Sequence, residues 1–136
     1  MDRVALDTSF LIDLQNERRG RGRARGAMAF LRARPSTELV VPIVALAEYL
    51  EGFDDPQGRE ATALVGGLRT LDVTLAVVHC YAAEARRLRS EGRLIGTNDL
   101  WIACTARAAG LPILTRNVEH FARVAGVQVV DYAATV

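Results

Sequence analysis

Short apolar runs alternate with segments of helical spacing along almost the whole chain. Runs at residues 3–6, 38–41, 71–73, 113–115 and 127–130 are brief and rich in Val, Ile and Leu, so each reads as a strand. Helices are expected between them, at 9–15, 27–33, 43–53, 57–68, 75–91, 98–109 and 118–122. Strands separated by helices must be joined by crossovers, which makes the sheet parallel and covers both its faces. The expected fold is therefore α/β, a three-layer α/β/α sandwich around a central parallel sheet. With 136 residues, residues 1–136 are expected to form one domain, because two cores would each be too small.

Local signals sharpen the boundaries. Asp7-Thr8-Ser9 is both a turn and an N-cap signal, so the first strand hands directly to a helix. Pro42 stands where a first-turn proline is tolerated, and Gly110 followed by Pro112 is a helix stop. Between Arg18 and Gly26 three glycines interrupt the arginines, and no regular structure is expected there.

Composition excludes several classes. Half the residues are apolar and 24% are charged, which suits a packed core and not a disordered chain. No apolar run is long enough to cross a bilayer, and the opening residues do not read as a signal peptide, so a cytoplasmic protein with no membrane contact is expected. Cys80 and Cys104 lie in apolar helical patterns without metal-ligand spacing and are expected to be buried thiols. All 17 basic residues are arginine, so a P-loop and a Schiff-base lysine are both ruled out. Residues 15–34 hold seven arginines against Glu17, a local charge of +6, which leaves −5 for the rest of a chain whose net charge is +1. Such a basic segment suits nucleic acid, although a solvated loop or a surface for an acidic partner reads equally well.

In parallel sheets, ligands gather beyond the carboxyl ends of the strands. Asp7 follows the first strand, Glu48 the second, Asp99 opens the helix before the fourth, and Thr115-Arg116-Asn117 ends that strand. Each has a plainer reading. Asp7 could simply cap a helix. Glu48 lies about 140° around the helix from Ile43 at 100° per residue, whereas Ile43, Leu46, Ala47 and Leu50 share a face, so it could be a solvated residue. Asp99 is harder to dismiss, because it shares a face with Ile102, Ala103 and Ala106 on a helix that is apolar nearly all round. Three carboxylates at about 5 Å would repel by roughly 3 kcal/mol per pair at an effective dielectric near 20. A hard, oxygen-liganded cation resolves that conflict, Mg²⁺ or Mn²⁺ in its place. His79 and His120 are the only imidazoles, and both stand away from the acidic motifs in sequence, which argues against a metal-free histidine mechanism.

Four motifs occur in order: Val4-Ala5-Leu6-Asp7-Thr8-Ser9, Ala47-Glu48-Tyr49-Leu50-Glu51-Gly52, Gly96-Thr97-Asn98-Asp99-Leu100-Trp101-Ile102-Ala103 and Leu114-Thr115-Arg116-Asn117. Together they resemble the PIN-domain ribonucleases, and among these the VapC-type toxins of bacterial toxin-antitoxin pairs. The resemblance implies a PIN-like sandwich, Mg²⁺-dependent cleavage of RNA, inhibition by a cognate antitoxin, and often a homodimer. It implies Asp7, Glu48 and Asp99 as metal ligands and catalytic residues. Asn117 stands at a fourth catalytic position that is often Asp in the family and brings no charge. Thr8 and Thr115 are implied as supporting hydroxyls, and Arg116 as a holder of substrate phosphate unless it forms a surface ion pair. The alternative is a catalytically inactive module that binds RNA or a protein.

Overall fold

The computed structural model describes residues 2–135. Its five strands are β1 (Arg3–Leu6), β2 (Glu38–Pro42), β3 (Arg69–Leu71), β4 (Ile113–Thr115) and β5 (Val129–Asp131). They form one sheet in the order β3-β2-β1-β4-β5, with every neighbouring pair parallel. The helices are α1 (Thr8–Arg18), α2 (Ala27–Ala33), α3 (Ile43–Leu50), α4 (Arg59–Val65), α5 (Leu75–Ser90), α6 (Thr97–Ala108) and α7 (Val118–Ala122), followed by a 3₁₀ turn at Tyr132–Thr135.

The chain first winds outward from β1 through β2 to β3, then returns across the sheet to β4 and β5. Because such crossovers are right-handed, the helices of the outward path cover one face and those of the return path the other. The direction of winding changes between β1 and β4, which are hydrogen-bonded neighbours with Ala5 opposite Ile113 and Leu6 opposite Leu114. That switch point opens a crevice at the carboxyl ends of the two strands.

Central strands are buried on both sides, and β1 and β4 show it: Val4, Ala5, Leu6, Ile113, Leu114 and Thr115 are all fully enclosed. Phe10 anchors the core over them, edge-to-face with both Phe30 and Tyr132. Cys104 is buried and Cys80 half-buried, both as free thiols. No described helix is long and apolar enough to cross a membrane.

Several boundaries differ from the sequence reading. The third strand is Arg69–Leu71 and not residues 71–73, because Gly66 and Gly67 end α4 early and let pairing with β2 begin at Val40–Arg69. The last strand starts at Val129, because Gly126 at φ 76° turns the chain and Val127 is still tied back to Val124. The second strand runs through Pro42, which pairs with Leu71 and also precedes α3. The α3 face is also rotated: Ala45 and Tyr49 are buried while Ile43 and Ala47 are exposed. Glu48 then lies about 60° from Ala45 at 100° per residue, on the flank of the buried stripe and not on the solvent side.

Candidate active site

Asp7 is built into the junction between β1 and α1. Its N–H extends the β1–β4 ladder by donating to the Leu114 carbonyl at 3.0 Å. Its extended backbone makes it the N-cap of α1, with the carboxylate accepting from the Thr8 N–H at 2.8 Å. The other carboxylate oxygen accepts from the Ser9 hydroxyl at 2.8 Å and from the Thr115 hydroxyl at 2.7 Å. The side chain is only 1% exposed. Burial pushes its pKa up, the Thr115 and Ser9 hydroxyls pull it back, and the nearby charge of Asp99 raises it again.

The other two acids arrive from opposite helices. Glu48 projects from α3, which packs against both α1 and α6. One of its oxygens accepts from the Thr8 hydroxyl at 2.6 Å and the other from the Asn98 amide at 3.0 Å. Asp99 lies in the first turn of α6, where the helix dipole favours a negative charge. Burial raises its pKa, His120 lowers it, and Glu48 raises it. The charge of Asp99 thus reaches Asp7, and that of Glu48 reaches Asp99. As the side chains stand, no three Asp, Glu, His or Cys among the described residues close into a metal-holding cluster.

A family model for the PIN domain matches residues 4–127, which include all three acids. The chain belongs to the PIN-domain family, in its VapC branch. Ribonuclease VapC1 of Haemophilus influenzae (strain R2866) is 33% identical over 103 residues, covering 72% of this chain and 77% of that protein. Ribonuclease VapC10 of Mycobacterium tuberculosis is 32% identical over 89 residues, covering 65% of this chain and 67% of that protein. The solved VapBC-1 structure from nontypeable Haemophilus influenzae superposes with a TM-score of 0.78 at 28% identity, covering 96% of this chain and 98% of that one.

Within this PIN domain, the supporting residues take definite places. Thr8 holds Glu48, and Thr115 holds Asp7 while accepting the Asn117 N–H at 2.9 Å. Asn117 is therefore tied to the site through its main chain, and its side chain is exposed and does not cap α7. Arg116 points away from the acids. Its guanidinium is clamped on the buried Asp13 carboxylate at 2.8 and 3.3 Å, and Asp13 also accepts from the Tyr132 hydroxyl. The residue expected to hold phosphate is thus engaged in a brace between β4 and α1.

Sequence reasoning missed two participants. His120 reaches Asp99, with Nδ1 3.4 Å from Oδ2. It sits one helical turn beyond Asn117 in α7, and that i, i+3 spacing was the available signal. Asn98, the neighbour of Asp99, links α6 to α3 by its bond to Glu48; nothing in the sequence pairs two residues fifty positions apart.

Proposed function

We propose that this chain is a metal-dependent endoribonuclease, the toxin of a toxin-antitoxin pair. The observation that carries this reading is the linkage of the three acidic positions, with Thr8 bonded to both Asp7 and Glu48 and Asn98, the neighbour of Asp99, bonded to Glu48, and with no arginine paired to any of the three acids among the described residues. Mutual repulsion in a largely buried crevice favours a cation, and an all-carboxylate donor set fits Mg²⁺, or Mn²⁺ as a substitute. Asp7 and Asp99 would hold the ion, with Glu48 as a third ligand or as proton acceptor. When bound, the ion lowers the pKa of water and stabilises negative charge on the phosphate. Glu48 then takes the proton of the attacking water, held in place meanwhile by Thr8 and Asn98. Attack on phosphorus breaks the bond to the 3′-oxygen and leaves a 5′-phosphate and a 3′-hydroxyl. Thr115 and Ser9 fix the Asp7 carboxylate and release no proton themselves.

Three partners belong to the same reading. RNA is the substrate, and the exposed arginines between α1 and α2 suit its backbone. An antitoxin is supported by relatives whose solved structures are VapBC toxin-antitoxin complexes. A groove of about 220 Å³ leads away from Glu48 past Ile12, Gln15, Tyr49 and Phe53. A homodimer and a cytoplasmic location complete the proposal.

The test is cleavage of structured RNAs with Mg²⁺, Mn²⁺ or EDTA by the parent, Asp7→Asn and Asp99→Asn. EDTA and either substitution should reduce the rate at least about 100-fold. Activity indifferent to all three would overturn the reading. The acids' failure to close into one cluster favours a second reading, an inactive binding module. Calorimetry separates the two, since an inactive module takes up no Mn²⁺ that depends on Asp99.

A further inference from the structure

The mechanism above leaves one side chain at the site without a task. His120 is about half exposed, it lies on the five-residue helix α7, and its Nδ1 stands 3.4 Å from Asp99 Oδ2. It is the only group forming an ion-pair contact with any of the three acids among the described residues. Two ligands about 2.1 Å from one ion, at angles between a right angle and the tetrahedral value, stand roughly 3.0–3.5 Å apart. The separation of Nδ1 and Oδ2 falls in that range.

We propose that His120 supplies a nitrogen donor to the metal centre, so that the site discriminates first-row transition ions from Mg²⁺. This rests on the metal reading of the acidic crevice given above. A set of carboxylates alone prefers hard ions and grips Mg²⁺ and Mn²⁺ through much the same chemistry. An imidazole changes that balance, because it binds transition ions well and Mg²⁺ sheds water for it only reluctantly. The short α7 presents the ring from the β4 side of the crevice, opposite the Glu48 side, so the donor set would be contributed by both halves of the sheet. His79 lies elsewhere, on α5 beside Cys80 and Arg107, and serves as a control.

The test measures binding of Co²⁺ and of Mg²⁺ by calorimetry to the untagged full-length protein, without RNA, in the parent, His120→Ala, His79→Ala and Asp99→Asn. The visible absorption of bound Co²⁺ reports a nitrogen ligand independently of activity. His120→Ala should lose Co²⁺ affinity at least tenfold, change Mg²⁺ affinity less than threefold and shift the Co²⁺ spectrum, whereas His79→Ala should match the parent. If Co²⁺ binds in an Asp99-dependent manner and His120→Ala leaves both affinity and spectrum unchanged, the histidine is no ligand and the carboxylate reading stands. If neither ion binds the parent, the metal reading itself falls, and this inference with it. His120 is half exposed, so its removal leaves the fold intact, which circular dichroism verifies.

Discussion

Thr115 carries two bonds that only a hydroxyl can supply together in so small a space. Its hydroxyl donates to Asp7 and accepts from the Asn117 N–H, all within a fully buried position. Thr115→Val keeps the shape and strands both partners, so a loss of about 1–3 kcal/mol is expected in urea unfolding. RNA cleavage should fall as well, and Thr115→Ser should recover most of both. Asp13 is the comparable point for stability alone. Its buried carboxylate holds Arg116 and Tyr132, and burial, then the bond to Asp13, keeps the Tyr132 proton in place. Asp13→Ala leaves the buried Tyr132 phenol and the half-buried Arg116 guanidinium unpaired, with an expected cost of about 1–3 kcal/mol; Tyr132→Phe should cost about 1 kcal/mol. Asp7, Glu48 and Asp99 were legible because motif order and strand ends point to them. Asn98 and Asp13 were not, because their roles rest on contacts between elements that have no sequence pattern, and for His120 the one signal was its i, i+3 spacing from Asn117.

Among elements, the arginine-rich segment after α1 is less free than its glycines suggest. Glu17, near the end of α1, accepts from the main-chain N–H groups of Arg25, Ala27 and Met28 at 3.0–3.1 Å. It thereby supplies the N-terminal cap of α2 that Gly26, left-handed at φ 103°, cannot provide. Glu17→Ala should cost about 0.5–2 kcal/mol and raise amide hydrogen exchange over residues 25–28, with α1 unchanged. Unaltered exchange there would show that the carboxylate does not hold the segment. Helix α2, β4 and α7 sit where the sequence reading put them; Gly26 precedes α2 and Pro112 precedes β4. The edge strand β3 slipped by two residues. It is three residues long and mostly exposed, so no alternation of apolar positions fixed its register.

For the whole molecule, two kinds of buried acid pull stability in opposite directions with pH. Glu84 on α5 accepts two bonds from Arg87 and the Ala125 N–H, which ties the helix to the turn after α7. The Arg87 bond, above all, holds its pKa below the usual glutamate value. A lowered folded-state pKa means the unfolded chain binds protons first, so this contribution is complete above the ordinary carboxylate range and is lost as pH falls through the folded value. Glu84→Gln should therefore lose about 1–3 kcal/mol at neutral pH and show a flatter acid limb in thermal melts. Asp99 is raised instead, chiefly by burial. In EDTA, Asp99→Asn should melt no lower than the parent at neutral pH, and it is expected to melt a few degrees higher. The parallel architecture was readable from alternation alone, because crossovers leave few other ways to join such segments. The order of the strands was not, since periodicity says nothing about which neighbours pair. Asp7 starts a helix, extends a ladder and faces the crevice at once, so an inert version made at that position would also unsettle a junction of the scaffold. A silent copy of this protein is therefore better made by disarming the α6 carboxylate and leaving the first one alone.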